Sequence, residues 1–119
     1  MDVTQLQAAT IAHLHWKAKL SGFFHGVEKL RASEVSDHTN CDFGKWLYSV
    51  GLRAFGRFDE MKKIEQLHKE VHNEIRQIVE MSPEQRKSTE GREALDRFRE
   101  KCDRLVEILD TLEGKVKNI

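Results

Sequence analysis

Three stretches of this chain gather mostly apolar residues on one helical face, the first and last in alternating steps of three and four, and that rhythm restricts the fold more than any other feature. The first runs from about Thr4 to Ala32, with Leu6, Ala9, His13, Trp16, Leu20, Phe23, Val27 and Leu30 along one face. The second runs from about Phe55 to Met81, with Phe58, Met61, Ile64, Leu67, Val71, Ile75, Ile78 and Val79. The third runs from about Arg92 to Val116, with Leu95, Phe98, Cys102, Leu105, Leu109, Leu112 and Val116. A period of this kind gathers the apolar side chains on one stripe of an α-helix. Three long amphipathic helices must bury their stripes on one another, so the expected class is an all-α helical bundle. The seams are long, and a slim bundle can leave apolar surface for a second copy.

Shorter pieces fill the gaps. The polar "ASEVSDHTN" stretch is rich in cap and turn residues and reads as a loop. A short helix is expected from about Asp42 to Ser49, closed by Gly51. In "SPEQ", Ser82 can cap a helix, Pro83 suits its first position and Gln85 completes a capping box. "KSTEG" around Gly91 is expected to interrupt that turn before the last helix. There is no internal repeat or interdomain linker, so residues 1–119 read as one domain.

Composition narrows the function classes. Charged residues make up 34% and apolar residues 39%, which suits a soluble helical domain. Lys plus Arg equals Asp plus Glu at 20 each, so no electrostatic case exists for nucleic acid or an anionic membrane as main partner. No apolar run approaches the roughly 20 residues of a membrane span, and no signal-peptide pattern follows Met1. The two cysteines lie far apart in sequence, which fits a reducing, cytoplasmic setting better than a disulfide framework.

Chemistry concentrates in a few residues. His68 and His72 stand four apart in "HKEVH", which puts both imidazoles on one helix face about 6 Å apart. Two nitrogens so placed can hold one metal ion at about 2.0–2.1 Å each. Lys69 stands where the zinc-protease pattern HExxH needs its glutamate and Glu70 comes one place too late, so this is not that pattern. His13 occupies a seam position facing the bundle interior. Its neighbours Ala9, Trp16 and Leu20 offer little for its nitrogens, and a metal would satisfy one. Cys41 follows a polar loop and begins the short helix, where the helix N-terminus favours a thiolate and a metal favours it more. Gly44 would let the backbone pass close to another helix. Phe43, Trp46 and Leu47 would pack the short helix down. Cys102 fills a regular seam slot and reads as a core residue.

One cysteine and three histidines make a complete tetrahedral zinc set, which suits a structural or sensory site better than a catalytic one. Glu65 and Asp42 are candidates to orient a ligand. His15 points away from His13. His38, just before Cys41, is the available substitute should one of the four not ligate.

Three elements, "HLHW" (His13 to Trp16), "CDFGKW" (Cys41 to Trp46) and "HKEVH" (His68 to His72), together resemble the bacterial chemoreceptor zinc-binding domain family, often called CZB. The resemblance implies a four-helix bundle with an additional short helix carrying the Cys-x-Phe-Gly-x-Trp motif, forming a homodimer in the cytoplasm. It implies one zinc ion per chain held by His13, Cys41, His68 and His72. Members accompany chemotaxis receptors or diguanylate cyclases and are associated with sensing zinc or oxidants such as hypochlorous acid. The expected function is therefore sensory and not enzymatic: zinc occupancy, or oxidation of Cys41, controls the signalling output. No output domain is recognisable in these residues. Two other readings remain open on the sequence. One is a structural dimerisation bundle. The other is a hemerythrin-like di-iron bundle, for which the first and last seams offer no inward carboxylate.

Overall fold

A computed structural model describes residues 3–26, 35 and 37–118. The described residues form helices and turns, with no strand. The long helices are α1 (Thr4–Phe24), α4 (Asp59–Glu80) and α6 (Thr89–Lys117). Between α1 and α4 come α2 (Asp42–Trp46), a π-helical turn (Leu47–Gly51) and α3 (Leu52–Phe55); α5 (Pro83–Lys87) links α4 to α6. The body measures 50 × 23 × 20 Å.

The helix α6 is the spine. It packs along α4 over most of its length and along α1 on another side, while α1 and α4 touch each other little. Every seam residue assigned to it, from Leu95 to Val116, is buried. Burial of this extent makes the bundle interior unforgiving: truncating Phe98 or Leu105 to Ala would cost about 2–5 kcal/mol.

Several boundaries differ from the sequence reading, each for a local reason. α1 ends at Phe24, where Gly26 takes φ +80° and its N–H bonds to the Phe23 carbonyl. That is a left-handed terminator position. Val27 and Leu30, expected to continue the seam, lie outside the described residues. The expected start of α4 near Phe55 moves to Asp59, because Phe58 is extended (φ −89°, ψ 129°) and Asp59 and Glu60 occupy the favourable acidic first turn. Gly51 does not close the short helix. It is itself right-handed helical, and the chain continues through it into α3. Its role is space: a Cβ there would stand 2.7 Å from the Trp46 ring.

The "SPEQ" box forms as expected. The Gln85 N–H donates to Ser82 Oγ at 3.2 Å, and the Ser82 N–H donates to Gln85 Oε1 at 2.8 Å. The interruption that follows falls at Ser88 rather than Gly91. Ser88 is extended and caps α6 by accepting the Gly91 N–H at 3.2 Å, so Gly91 lies in the first turn.

Candidate metal centre

The site forms where α1, the start of α2 and the middle of α4 meet. His13 on α1 is 4% exposed. Its Nδ1 lies 2.7 Å from the Ala9 carbonyl oxygen one turn back. A carbonyl only accepts, so Nδ1 carries the proton and the lone pair is left on Nε2. The sequence reading held that the seam neighbours could not serve His13. The backbone of Ala9 does, because an i−4 carbonyl lies beside the ring whatever the side chain is. The effect is to orient a free nitrogen, as hydrogen bonds behind metal-ligating histidines do.

His68 and His72 stand one turn apart on α4, with ring centroids 4.6 Å apart. The His13 ring lies 5.2 Å from His68 and 6.2 Å from His72. All three are buried, and each offers a nitrogen within 4.8 Å of the other two. Cys41 brings its Sγ to 3.2 Å from His68 Nε2. Donor atoms around a tetrahedral zinc stand roughly 3.3–3.6 Å apart, given bonds of about 2.3 Å to sulfur and 2.0–2.1 Å to nitrogen. The sulfur–nitrogen separation is close to that spacing. His68 Nδ1 is buried with no hydrogen-bond partner. Such an orphan costs about 1–3 kcal/mol, and only a cation or a hydrogen-bond partner at Nδ1 itself would relieve it. Cys41 adjoins the three convergent histidines through His68 and is not itself within 4.8 Å of all of them; a set of three imidazoles with a neighbouring thiol fits zinc.

Electrostatics favour the metal-binding protonation states of His68 and His13. Burial, reinforced by repulsion from His72, His13 and His38, pulls His68 down to about 2. Burial also lowers His13, against the opposing pull of the Ala9 hydrogen bond. Neutral imidazoles are the ligating form, so protons compete poorly here at neutral pH. Cys41 behaves otherwise. The α2 N-terminus does act on it, since Sγ accepts the Gly44 N–H at 3.3 Å. Burial is the larger effect and raises its pKa, and Asp42 and Asp37 push the same way. Without a cation the sulfur is held as a thiol, contrary to the expectation from its helix position.

The motif around Cys41 is built to place it. The Asp37 carboxylate accepts from the Thr39 N–H (2.9 Å), the Thr39 hydroxyl (2.6 Å) and the Asn40 N–H (3.0 Å), fixing the turn that ends at Cys41. A Cβ on Gly44 would meet the His38 carbonyl oxygen at 1.8 Å. The close approach is thus to the preceding turn, not to another helix as the sequence suggested. Phe43 is buried, and its ring stands near-perpendicular to that of His68 with centroids 5.0 Å apart. Trp46 stacks between Phe43 (5.7 Å) and Phe55 (5.9 Å). A cleft of about 270 Å³ lined by Ala12, His13, Trp16, Asn40, Cys41, Asp42, Phe43 and His72 connects the cluster with solvent.

The remaining candidates separate from the cluster. His15 and His25 are exposed. Cys102 is fully buried on α6, its thiol donating to the His13 carbonyl at 3.4 Å. Glu65 bonds the Tyr48 hydroxyl, and Asp42 is exposed. Glu74 is buried but turned to Lys101 Nζ at 3.0 Å. Among the described residues no carboxylate joins the histidine cluster, so the di-iron alternative gains no support from this geometry. Two contributors went unnoticed in the sequence. Asp37 was signalled by its place before Thr39 and Asn40, a side-chain-to-backbone turn pattern. The Ala9 carbonyl had no side-chain signal at all.

No curated protein and no solved structure matches the chain significantly. The chemoreceptor zinc-binding domain family matches residues 13–79, more than half of the 119 residues. That span begins at His13 and contains Cys41, His68 and His72. On the extent of this match the chain belongs to the chemoreceptor zinc-binding domain family.

Proposed function

We propose that this chain is a zinc-dependent regulatory domain in which His13, Cys41, His68 and His72 hold one zinc ion per chain. The observation that carries the reading is the meeting of three buried imidazoles, nitrogens within 4.8 Å, with the Cys41 sulfur 3.2 Å from His68. Bound zinc would supply a positive centre tying α1 and α4 to the start of α2. With one thiolate and three neutral imidazoles the site carries a formal charge of about +1. All four positions are taken by protein, as in sites that hold structure or report a signal.

Cys41 is the reactive member. Its thiolate can attack hydrogen peroxide: a sulfur–oxygen bond forms, the oxygen–oxygen bond breaks, hydroxide leaves and the sulfur becomes a sulfenic acid. Hypochlorous acid reacts at the same atom with chloride as the leaving group. The cleft at Cys41 gives small oxidants a route. Loss of sulfur ligation releases α2 from α4, and the packing change passes along the bundle to the output. The reading places the domain in the cytoplasm as a homodimer. It acts on a chemoreceptor or a diguanylate cyclase and catalyses no reaction of its own. Among the described residues no helix is long and apolar enough to cross a membrane.

The test is a competition titration against a chromogenic chelator, for wild type and Cys41→Ser. Removing the ligand should weaken zinc binding by at least the about 10–100-fold typical of outer-shell partners, with the helical circular dichroism unchanged. Peroxide should release zinc from wild type and not change release from Cys41→Ser. A variant that keeps wild-type affinity and the oxidant response would remove Cys41 from the mechanism.

A further inference from the structure

We infer that His38 is a reserve ligand, which supplies a nitrogen donor when the Cys41 sulfur is lost, so that oxidation loosens the zinc before ejecting it. The inference rests on the zinc reading above and extends it to a residue outside the family's motif elements.

Three observations carry it. His38 and Cys41 are spaced His-x-x-Cys, a chelating interval common in zinc sites. They also share one rigid turn. Asp37 fastens Thr39 and Asn40 through its carboxylate, and the Asn40 and Cys41 N–H groups both donate to the Asp37 carbonyl, at 3.2 and 3.3 Å. Whatever holds the turn near α4 holds both side chains there. Finally, the half-buried His38 ring lies 6.4 Å from His68. That nearly equals the 6.2 Å between His13 and His72, two members of the cluster. His38 is not one of the three histidines whose nitrogens already converge. It packs edge-on against Tyr48 at 6.1 Å, one ring away from the centre.

Alternatives within the turn are poorer. The Asp37 carboxylate is committed to four hydrogen bonds, including Asn40 Nδ2 at 3.0 Å. Zinc without its thiolate retains three imidazoles and prefers a fourth donor. Exchanging a thiolate for a neutral imidazole raises the formal charge of the site by one, so the reserve state binds more weakly than the first.

The test is a double-mutant cycle on zinc affinity, with cobalt(II) absorption as a second readout. His38→Ala alone should change affinity less than about threefold, because Cys41 is in place. Cys41→Ala should weaken binding yet keep the intense visible band of four-coordinate cobalt, without the sulfur charge-transfer band. The double variant should lose a further tenfold or more and that visible band, a coupling that independent sites do not show. With Cys41 intact, peroxide should release zinc more readily from His38→Ala than from wild type, a readout that needs no substitution at Cys41. Equal affinity of Cys41→Ala with and without His38, or equal peroxide-driven release, would mean that water takes the fourth position and would overturn the inference alone. A wild-type chain that binds no zinc would overturn the proposed function together with it.

Discussion

Protonating His68 would place a charge in a ring with no solvent exposure, beside three other imidazoles. Its folded-state pKa is pushed down to about 2, whereas an unfolded histidine titrates near about 6.5. The unfolded chain therefore takes up the proton first as pH falls. Stability is complete above about pH 6.5 and is lost as pH drops from there toward 2, at about 1.4 kcal/mol per pH unit for this group. His13 is shifted the same way and adds to the loss. Urea unfolding of the metal-free protein at pH 7.5 and 5.5 should show a decrease on the order of 1 kcal/mol, reduced in His68→Leu. A pH-independent midpoint would contradict a neutral, buried cluster. The two thiols should also separate. Cys41 borders the cleft, while burial drives Cys102 up to about 11 inside the core. In metal-free folded protein an alkylating agent should modify Cys41 well before Cys102, read by peptide mass spectrometry. At this scale the sequence was informative about side chains. The cluster is made of residues whose type and spacing stood out, while the Ala9 carbonyl and the Glu65–Tyr48 bond arise from backbone position and packing that no spacing displays.

Among the elements, α2 is built around a glycine at which the backbone leaves no room. A methyl group on Gly44 must displace the His38 carbonyl, and backbone cannot yield as a flexible side chain does. Gly44→Ala should cost about 1–3 kcal/mol and weaken zinc binding together with stability. Gly114 on α6 makes the control: nothing lies within 4 Å of a Cβ there. Gly114→Ala should leave zinc binding unchanged and stabilise the protein by up to about 1 kcal/mol through helix propensity. Thermal unfolding of the two variants, with and without zinc, separates the effects. The long helices were legible because their seams repeat over many turns, and the Ser82 box because its three residues sit at fixed offsets. The break at Phe58 and the π-helical turn at Leu47–Gly51 were not. Apolar residues run through both, so spacing shows no break there; Trp46 packs between Phe43 and Phe55 across the π-helical turn, a tertiary contact that no spacing displays.

For the molecule as a whole, the core and the cluster are separable. Hydrophobic residues from all three long helices pack in one buried cluster that extends along the helices from Leu6 to Val116. The metal-free chain should therefore remain helical, and chelation should not unfold it at room temperature. A ligand bound only by the folded state, present at about 1,000 times its Kd, stabilises by about 4 kcal/mol. For a domain of this size a melting-temperature drop on the order of 10 °C is expected when zinc is stripped. The bundle class followed from periodicity, but the spine role of α6 did not, because three equivalent seams do not say which helix lies between the other two. The measurement that bears most directly on the account is the zinc content of the folded chain by native mass spectrometry, for wild type and Cys41→Ser purified without added metal or chelator. One zinc per wild-type chain, with lower occupancy in the variant, is the predicted result. A wild-type chain that carries no zinc and takes up none when it is added would contradict it.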